Sequence, residues 1–133
     1  MTDAVLDASV LLKWFSTTAE RHDGAARALR AAYEAGELRL LAPRLLVLEV
    51  LNVAARSWRW GDDALAAAAA ALEALRIELA EPALADVARW AGRGLTAYDA
   101  TYVALAESAG VALITDDREI LALAGEVARP LAA

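Results

Sequence analysis

The chain has 133 residues, 59% hydrophobic and 24% charged, with 7 Gly, 3 Pro and no Cys. That length suits one domain spanning 1–133 with a real core, and the apolar content excludes intrinsic disorder. The missing cysteine excludes disulfide frameworks, thiolate zinc sites and thiol nucleophiles, and a formal net charge of −6 excludes a generally cationic nucleic-acid coat.

No apolar run approaches the roughly 18 residues of a membrane helix, and strand-like residues begin beside Met1, where a signal peptide would need room. The expectation is a soluble, cytoplasmic protein with no membrane partner. The charge is uneven. Residues 1–60 carry eight basic and seven acidic side chains, and residues 61–133 carry five and twelve. Between Leu38 and Trp60 the only acid is Glu49, set against Arg39, Arg44, Arg56 and Arg59. Such a segment suits phosphates or an acidic partner, or is simply a solvated arginine face.

In chain order, the first predicted strand is Ala4-Val5-Leu6, followed by Asp7 and, two residues later, Ser9. A helix is predicted from about Ala19 to Ala35, ending at Gly36. Leu38 to Leu41 reads as the second strand. A second helix follows Pro43, from about Arg44 to Trp60, and carries Glu49 inside the apolar stretch Leu45–Val53. A third starts after an Asp62-Asp63 cap and contains the strong helix former Ala66–Ala71. Ile77 to Leu79 reads as a third strand, and Pro82 opens a helical segment to about Arg93. The next helix starts near Asp99 and stops at Gly110. Val111 to Ile114 is the fourth strand, followed by Thr115, Asp116 and Asp117.

Strands alternating with helices imply βαβ units, a parallel sheet and helices on both faces. In such sheets ligands bind outside the carboxyl ends of the strands, which selects Asp7 and Asp116 or Asp117, with Asp99 and Glu49 reaching over from flanking helices. Each has an ordinary alternative. Asp7, Asp99, Asp116 and Asp117 are all potential helix N-caps, and Glu49 with Asn52 and Arg56 can form a solvated stripe. Gathering carboxylates in one cleft is unfavourable, because like charges raise each other's pKa. A hard divalent cation such as Mg²⁺ or Mn²⁺ removes that penalty and suits oxygen ligands. His22 is the lone histidine, in a polar segment, so zinc and triad mechanisms have little to work with.

Val5-Leu6-Asp7-Ala8-Ser9, Leu48-Glu49-Val50-Leu51-Asn52, Tyr98-Asp99-Ala100-Thr101-Tyr102 and Ile114-Thr115-Asp116-Asp117-Arg118 together resemble, in order, the four acidic motifs of PIN-domain ribonucleases. The likeness is strongest to VapC-like toxins of type II toxin–antitoxin pairs. The resemblance implies a three-layer α/β/α domain around a mainly parallel sheet of four or five strands. It also implies a Mg²⁺-dependent endoribonuclease, active with Mn²⁺ as a substitute, that forms a homodimer and is neutralised by a cognate antitoxin. The metal-site acids carry over to Asp7, Glu49, Asp99 and Asp117. The family's Thr-x-Asp pattern selects Asp117 over its neighbour Asp116. Ser9, Thr115 and Asn52 match supporting positions, and Asp116 is a further supporting candidate. Lys13, Arg44, Arg56 and Arg118 are candidates for flanking phosphates of an RNA substrate. Trp58 and Trp60, like Trp14 and Phe15, suit either base stacking or a packed interface.

Two other functions share part of this pattern. A PIN-like module that binds RNA or protein without cutting would have the same acids. A haloacid-dehalogenase-like phosphatase also places Asp after its first strand, but its Asp-x-Asp needs an acid where Ser9 stands, and Lys13 is the only lysine.

Overall fold

The computed structural model describes residues 2–132. Among these residues five strands are formed: β1 (Thr2–Leu6), β2 (Leu38–Ala42), β3 (Glu78–Leu79), β4 (Ala112–Thr115) and β5 (Ala128–Pro130). They make one sheet in the order β3-β2-β1-β4-β5, and every pairing is parallel. The three inner strands are the apolar runs of the sequence, as a strand covered on both faces requires. The expectation of four or five mainly parallel strands resolves to five, all parallel. Two starts move inward by one residue: the third strand begins at Glu78 rather than Ile77, and the fourth at Ala112 rather than Val111.

Seven helices complete the three layers among the described residues: α1 (Ala8–Phe15), α2 (Asp23–Glu34), α3 (Leu45–Arg56), α4 (Asp62–Ala74), α5 (Leu84–Ala91), α6 (Ala97–Ala109) and α7 (Arg118–Leu123). Side chains alternate across the sheet and feed two cores. Ala4 and Leu6 join Leu38 and Leu40 with Val10, against Leu29, Ala32 and Tyr33 of α2. Val5, Ala42 and Leu113 face the other way, onto the larger core that holds Leu46, Val50, Trp90 and the buried face of α6. Burial of these side chains, at about 1.5–3 kcal/mol each, is the main favourable contribution to folding.

Several boundaries differ from those read in the sequence, each for a local reason. Asp62 and Asp63 lie in the first turn of α4 rather than capping it, with extended Gly61 at the cap. There the two carboxylates complement the positive end of the helix dipole. Thr96 caps α6 by accepting the Asp99 backbone N–H, so Asp99 is inside the first turn rather than at the start. The helix after Pro82 begins at Leu84, two residues later. Gly110 closes α6 at φ 68°, a left-handed conformation that glycine adopts without a Cβ clash.

The topology fixes where a ligand site can form. From central β1 the chain crosses to β2 on one side and later to β4 on the other. The carboxyl ends of β1 and β4 therefore flank a topological switch point, where a crevice opens in sheets of this kind.

Candidate active site

The β1–β4 register pairs Leu6 with Ile114, so the residues that follow, Asp7 and Thr115, emerge side by side. Asp7 is only 3% exposed. It occupies the N-cap position of α1 yet makes no capping hydrogen bond with its side chain. Its oxygens serve other donors: Ser9 Oγ donates to Oδ1 at 2.6 Å, and Thr115 Oγ1 donates to Oδ2 at 2.5 Å. The same two hydroxyls accept from the turn after β4. The Asp116 N–H donates to Ser9 Oγ at 2.9 Å, and the Asp117 N–H donates to Thr115 Oγ1 at 3.0 Å. Each hydroxyl thus uses its donor on Asp7 and a lone pair on the β4 turn, locking the two strand ends together.

The electrostatics show charge that is not relieved. Burial pushes the Asp7 carboxyl up to about 6, against the opposing hydrogen bonds from Ser9 and Thr115, and the charge of Asp117 pushes the same way. Asp99 is also raised, first by burial and then by the charge of Asp117, with Glu49 adding to it. Asp7, Asp117, Asp99 and Glu49 are therefore linked by mutual repulsion, although they come from β1, the end of β4, α6 and α3. Burial and like charge both disfavour the ionised form.

The adjacent acids behave differently. Asp117 Oδ1 accepts the N–H groups of Glu119 and Ile120 at 2.9 and 3.1 Å and so caps α7. The capping role and the charge coupling coexist in this one residue. Asp116 is held by two cations, Lys13 Nζ at 3.2 Å and Arg21 at 3.3 Å, and by a hydrogen bond with His22 Nδ1 at 2.9 Å. Burial raises its pKa, but the bonds from His22 and Lys13 outweigh that and leave it below the usual carboxylate range. Lys13, at 8% side-chain exposure, is engaged there rather than open to solvent.

Arg44, Asn52, Arg56 and Arg118 are exposed. The Arg44 backbone N–H is used by Glu81. Trp58 and Trp60 pack on each other at a ring separation of 5.1 Å beyond the end of α3. Trp14 donates its indole N–H to the Ala26 carbonyl and carries Arg30 over its ring, which makes it part of the α1–α2 packing.

One participant was not singled out from sequence. The Tyr102 hydroxyl donates to Glu49 Oε1. The tyrosine is buried, and its phenol is raised by burial, by the bond and charge of Glu49, and by the charges of Asp7 and Asp99. Its spacing was a usable signal: three residues after Asp99, it lies on the same side of α6.

As the side chains stand, no group of three or more His, Cys, Asp or Glu is drawn closely enough to hold a metal ion among the described residues. The donor chemistry nevertheless fits a hard divalent cation. Every donor is a carboxylate or hydroxyl oxygen, and Mg²⁺ characteristically uses one or two carboxylates and keeps its waters. The raised Asp7 and Asp99 carboxyls mark the charge such an ion would neutralise.

The family described as PIN domain matches residues 4–126. The chain belongs to the PIN-domain family. A curated relative of this PIN domain, Exonuclease VapC9 of Pyrobaculum aerophilum, is 56% identical over 45 residues, which cover 33% of this chain and 34% of that protein. The match thus spans about a third of the relative's length. The crystal structure of PAE2754 from Pyrobaculum aerophilum is similar at 32% identity and a TM-score of 0.68, covering 98% of this chain and 90% of that one. VapC20 of Mycobacterium tuberculosis, a Sarcin-Ricin loop cleaving toxin, shares the fold at 18% identity, a TM-score of 0.70, and 91% and 95% coverage. Four acidic motifs in order and the five-stranded parallel sheet thus agree with a PIN domain of VapC type.

Proposed function

We propose that this PIN domain is a Mg²⁺-dependent endoribonuclease, the toxin component of a type II toxin–antitoxin pair, built as a single domain and working as a cytoplasmic homodimer neutralised by a cognate antitoxin. The observation that carries the reading is the buried Asp7 carboxyl, held by Ser9 and Thr115 and raised to about 6 beside Asp117, at the switch point of the sheet. A merely structural Asp at that N-cap would bond the helix N–H groups instead. The curated relative named an exonuclease supports nucleic-acid cleavage, and the VapC20 toxin supports the fold on which it would run.

Asp7 and Asp99 are the proposed direct ligands, with Asp117 and Glu49 completing the charge. When bound, Mg²⁺ supplies a Lewis acid for the phosphoryl oxygens and makes an attacking water more acidic. The remaining work belongs to the side chains. Ser9 and Thr115 hold Asp7 in one orientation before substrate arrives. Asp117 is fixed by its duty at α7, so one oxygen stays committed to the helix. Glu49 is assigned to orient or deprotonate the water. The exposed Arg44 and Arg118 are assigned to flanking phosphates, which makes binding weaker as salt rises. Lys13 acts through Asp116 and contributes background positive potential.

The test is RNA cleavage by the purified chain with Mg²⁺, with Mn²⁺ and with EDTA. Cleavage that needs the metal and disappears in Asp7→Asn is expected. Metal-independent cleavage, or full activity of that variant, would refute the assignment.

A further inference from the structure

The buried phenol of Tyr102 has no place in the steps above, yet its hydroxyl is bonded to Glu49 Oε1 across α3 and α6. We propose that Tyr102 is a positioning residue: it occupies one oxygen of Glu49 and aims the other at the metal and its water. The inference rests on the nuclease reading and extends it to a residue outside the four acids.

The geometry argues for more than a satisfied core hydroxyl. Glu49 sits on α3 at a half-exposed position, where a glutamate with three free torsions would sample several rotamers. The bond from a ring that is itself 1% exposed and packed in the main core removes most of that freedom. Ring and carboxylate come from different helices, so the bond also fixes how far the α3 carboxylate stands from Asp99, one turn earlier on α6. A partner that orients a metal-site carboxylate is typically worth 10–100-fold in metal affinity or activity.

Tyr102→Phe keeps the ring and deletes only the donor. Mn²⁺ binding to the intact chain, followed by the EPR signal of free Mn²⁺, is expected to weaken about tenfold. The same substitution made on Glu49→Ala is expected to add little, since alanine leaves the hydroxyl no carboxylate to position. Undiminished Mn²⁺ affinity in Tyr102→Phe, or a full additional loss in the double variant, would overturn the proposal.

A measurement on the unaltered protein stands beside these, in case the Phe variant folds poorly. Tyr33, Tyr98 and Tyr102 are the three tyrosines. Tyr33 donates to the Leu75 carbonyl and Tyr98 is 64% exposed, so ¹³Cζ-labelled tyrosine gives three distinguishable environments. Saturating Mg²⁺ should shift the Tyr102 resonance and leave Tyr33 in place; an unmoved Tyr102 resonance refutes the role. If the wild-type chain takes up no Mn²⁺ and cleaves no RNA, the nuclease reading falls and takes this inference with it. Metal-dependent cleavage with an indifferent Tyr102 removes the inference alone.

Discussion

Thr115 Oγ1 donates to Asp7 Oδ2 across the seam between β1 and β4, joining residues 108 positions apart in the chain. That bond and its Ser9 counterpart hold a carboxylate where water cannot solvate it. The group is kept ready for a ligand at a cost in folding stability.

At neutral pH, Asp7→Asn and Asp99→Asn should each lower metal-dependent RNA cleavage by about 100-fold or more, the scale of losing one electrostatic contact to a phosphoryl-transfer transition state. Far-UV circular dichroism should be unchanged. The check is a gel assay of initial rates beside the folded spectrum, and a variant within a few-fold of wild type would count against the site.

Stability should depend on pH in a defined direction. Asp7 titrates at about 6 in the folded chain against an ordinary 3.8, so between those values the folded state binds more protons. The contribution of this group is best below pH 4 and declines as pH rises through 6, by about 3 kcal/mol in total. In EDTA, Asp7→Asn should therefore melt several degrees above wild type at pH 7.5, the gap closing toward pH 4. Parallel melting curves at both pH values decide it, and equal Tm values at pH 7.5 would be the contrary result.

Divalent metal should reverse that penalty. Mg²⁺ at tenfold its Kd should stabilise the folded chain by about 1.4 kcal/mol. The gain should be larger at pH 7.5 than at pH 5, because Asp7 must lose its proton to act as a ligand. Differential scanning fluorimetry across a Mg²⁺ series reads this directly.

Thr115→Val removes a donor from Asp7 and an acceptor from the Asp117 N–H while preserving shape. A loss of about 1–3 kcal/mol in stability is expected. Without that donor Asp7 ionises less readily, so the acid limb of the pH–rate profile should move to higher pH. Urea unfolding and rates between pH 5 and 8 measure the two effects.

The paired acids should separate cleanly. Asp117→Asn should disable cleavage with a modest effect on folding, because an Asn side chain still caps α7. Asp116→Ala should do the opposite, leaving the nearly buried Lys13 uncompensated at a cost of roughly 3 kcal/mol while retaining most activity per folded molecule. Comparing Tm with the rate per active molecule distinguishes them.

Much of this was legible in the sequence, and the gaps have physical reasons. The inner strands announced themselves because burial on both faces demands mostly apolar runs, broken in β2 only by the exposed Arg39. β5 did not: three residues ending in Pro130, two of them exposed, leave no pattern to detect. The eight-residue α1 was hidden behind the apolar run of β1, too short for helical periodicity to declare itself. Among the acids, spacing could not tell a cap from a buried carboxylate. Asp117 turned out to be a cap as well as a member of the charge group, Asp7 sits at a cap position without capping, and Asp99 leaves that duty to Thr96. Tyr102 was visible as a letter in a motif, but its partner on α3 is a tertiary fact.

The placement of β1 between β2 and β4 has a consequence for biosynthesis. As the polypeptide leaves the ribosome, Asp7 emerges early, but the strand that completes its surroundings is not made until residues 112–117 appear. A nascent chain therefore lacks the finished cleft until β4 and the turn after it have been made. For a protein whose proposed activity cuts RNA, that ordering makes cleavage wait until the chain has been made through residue 117.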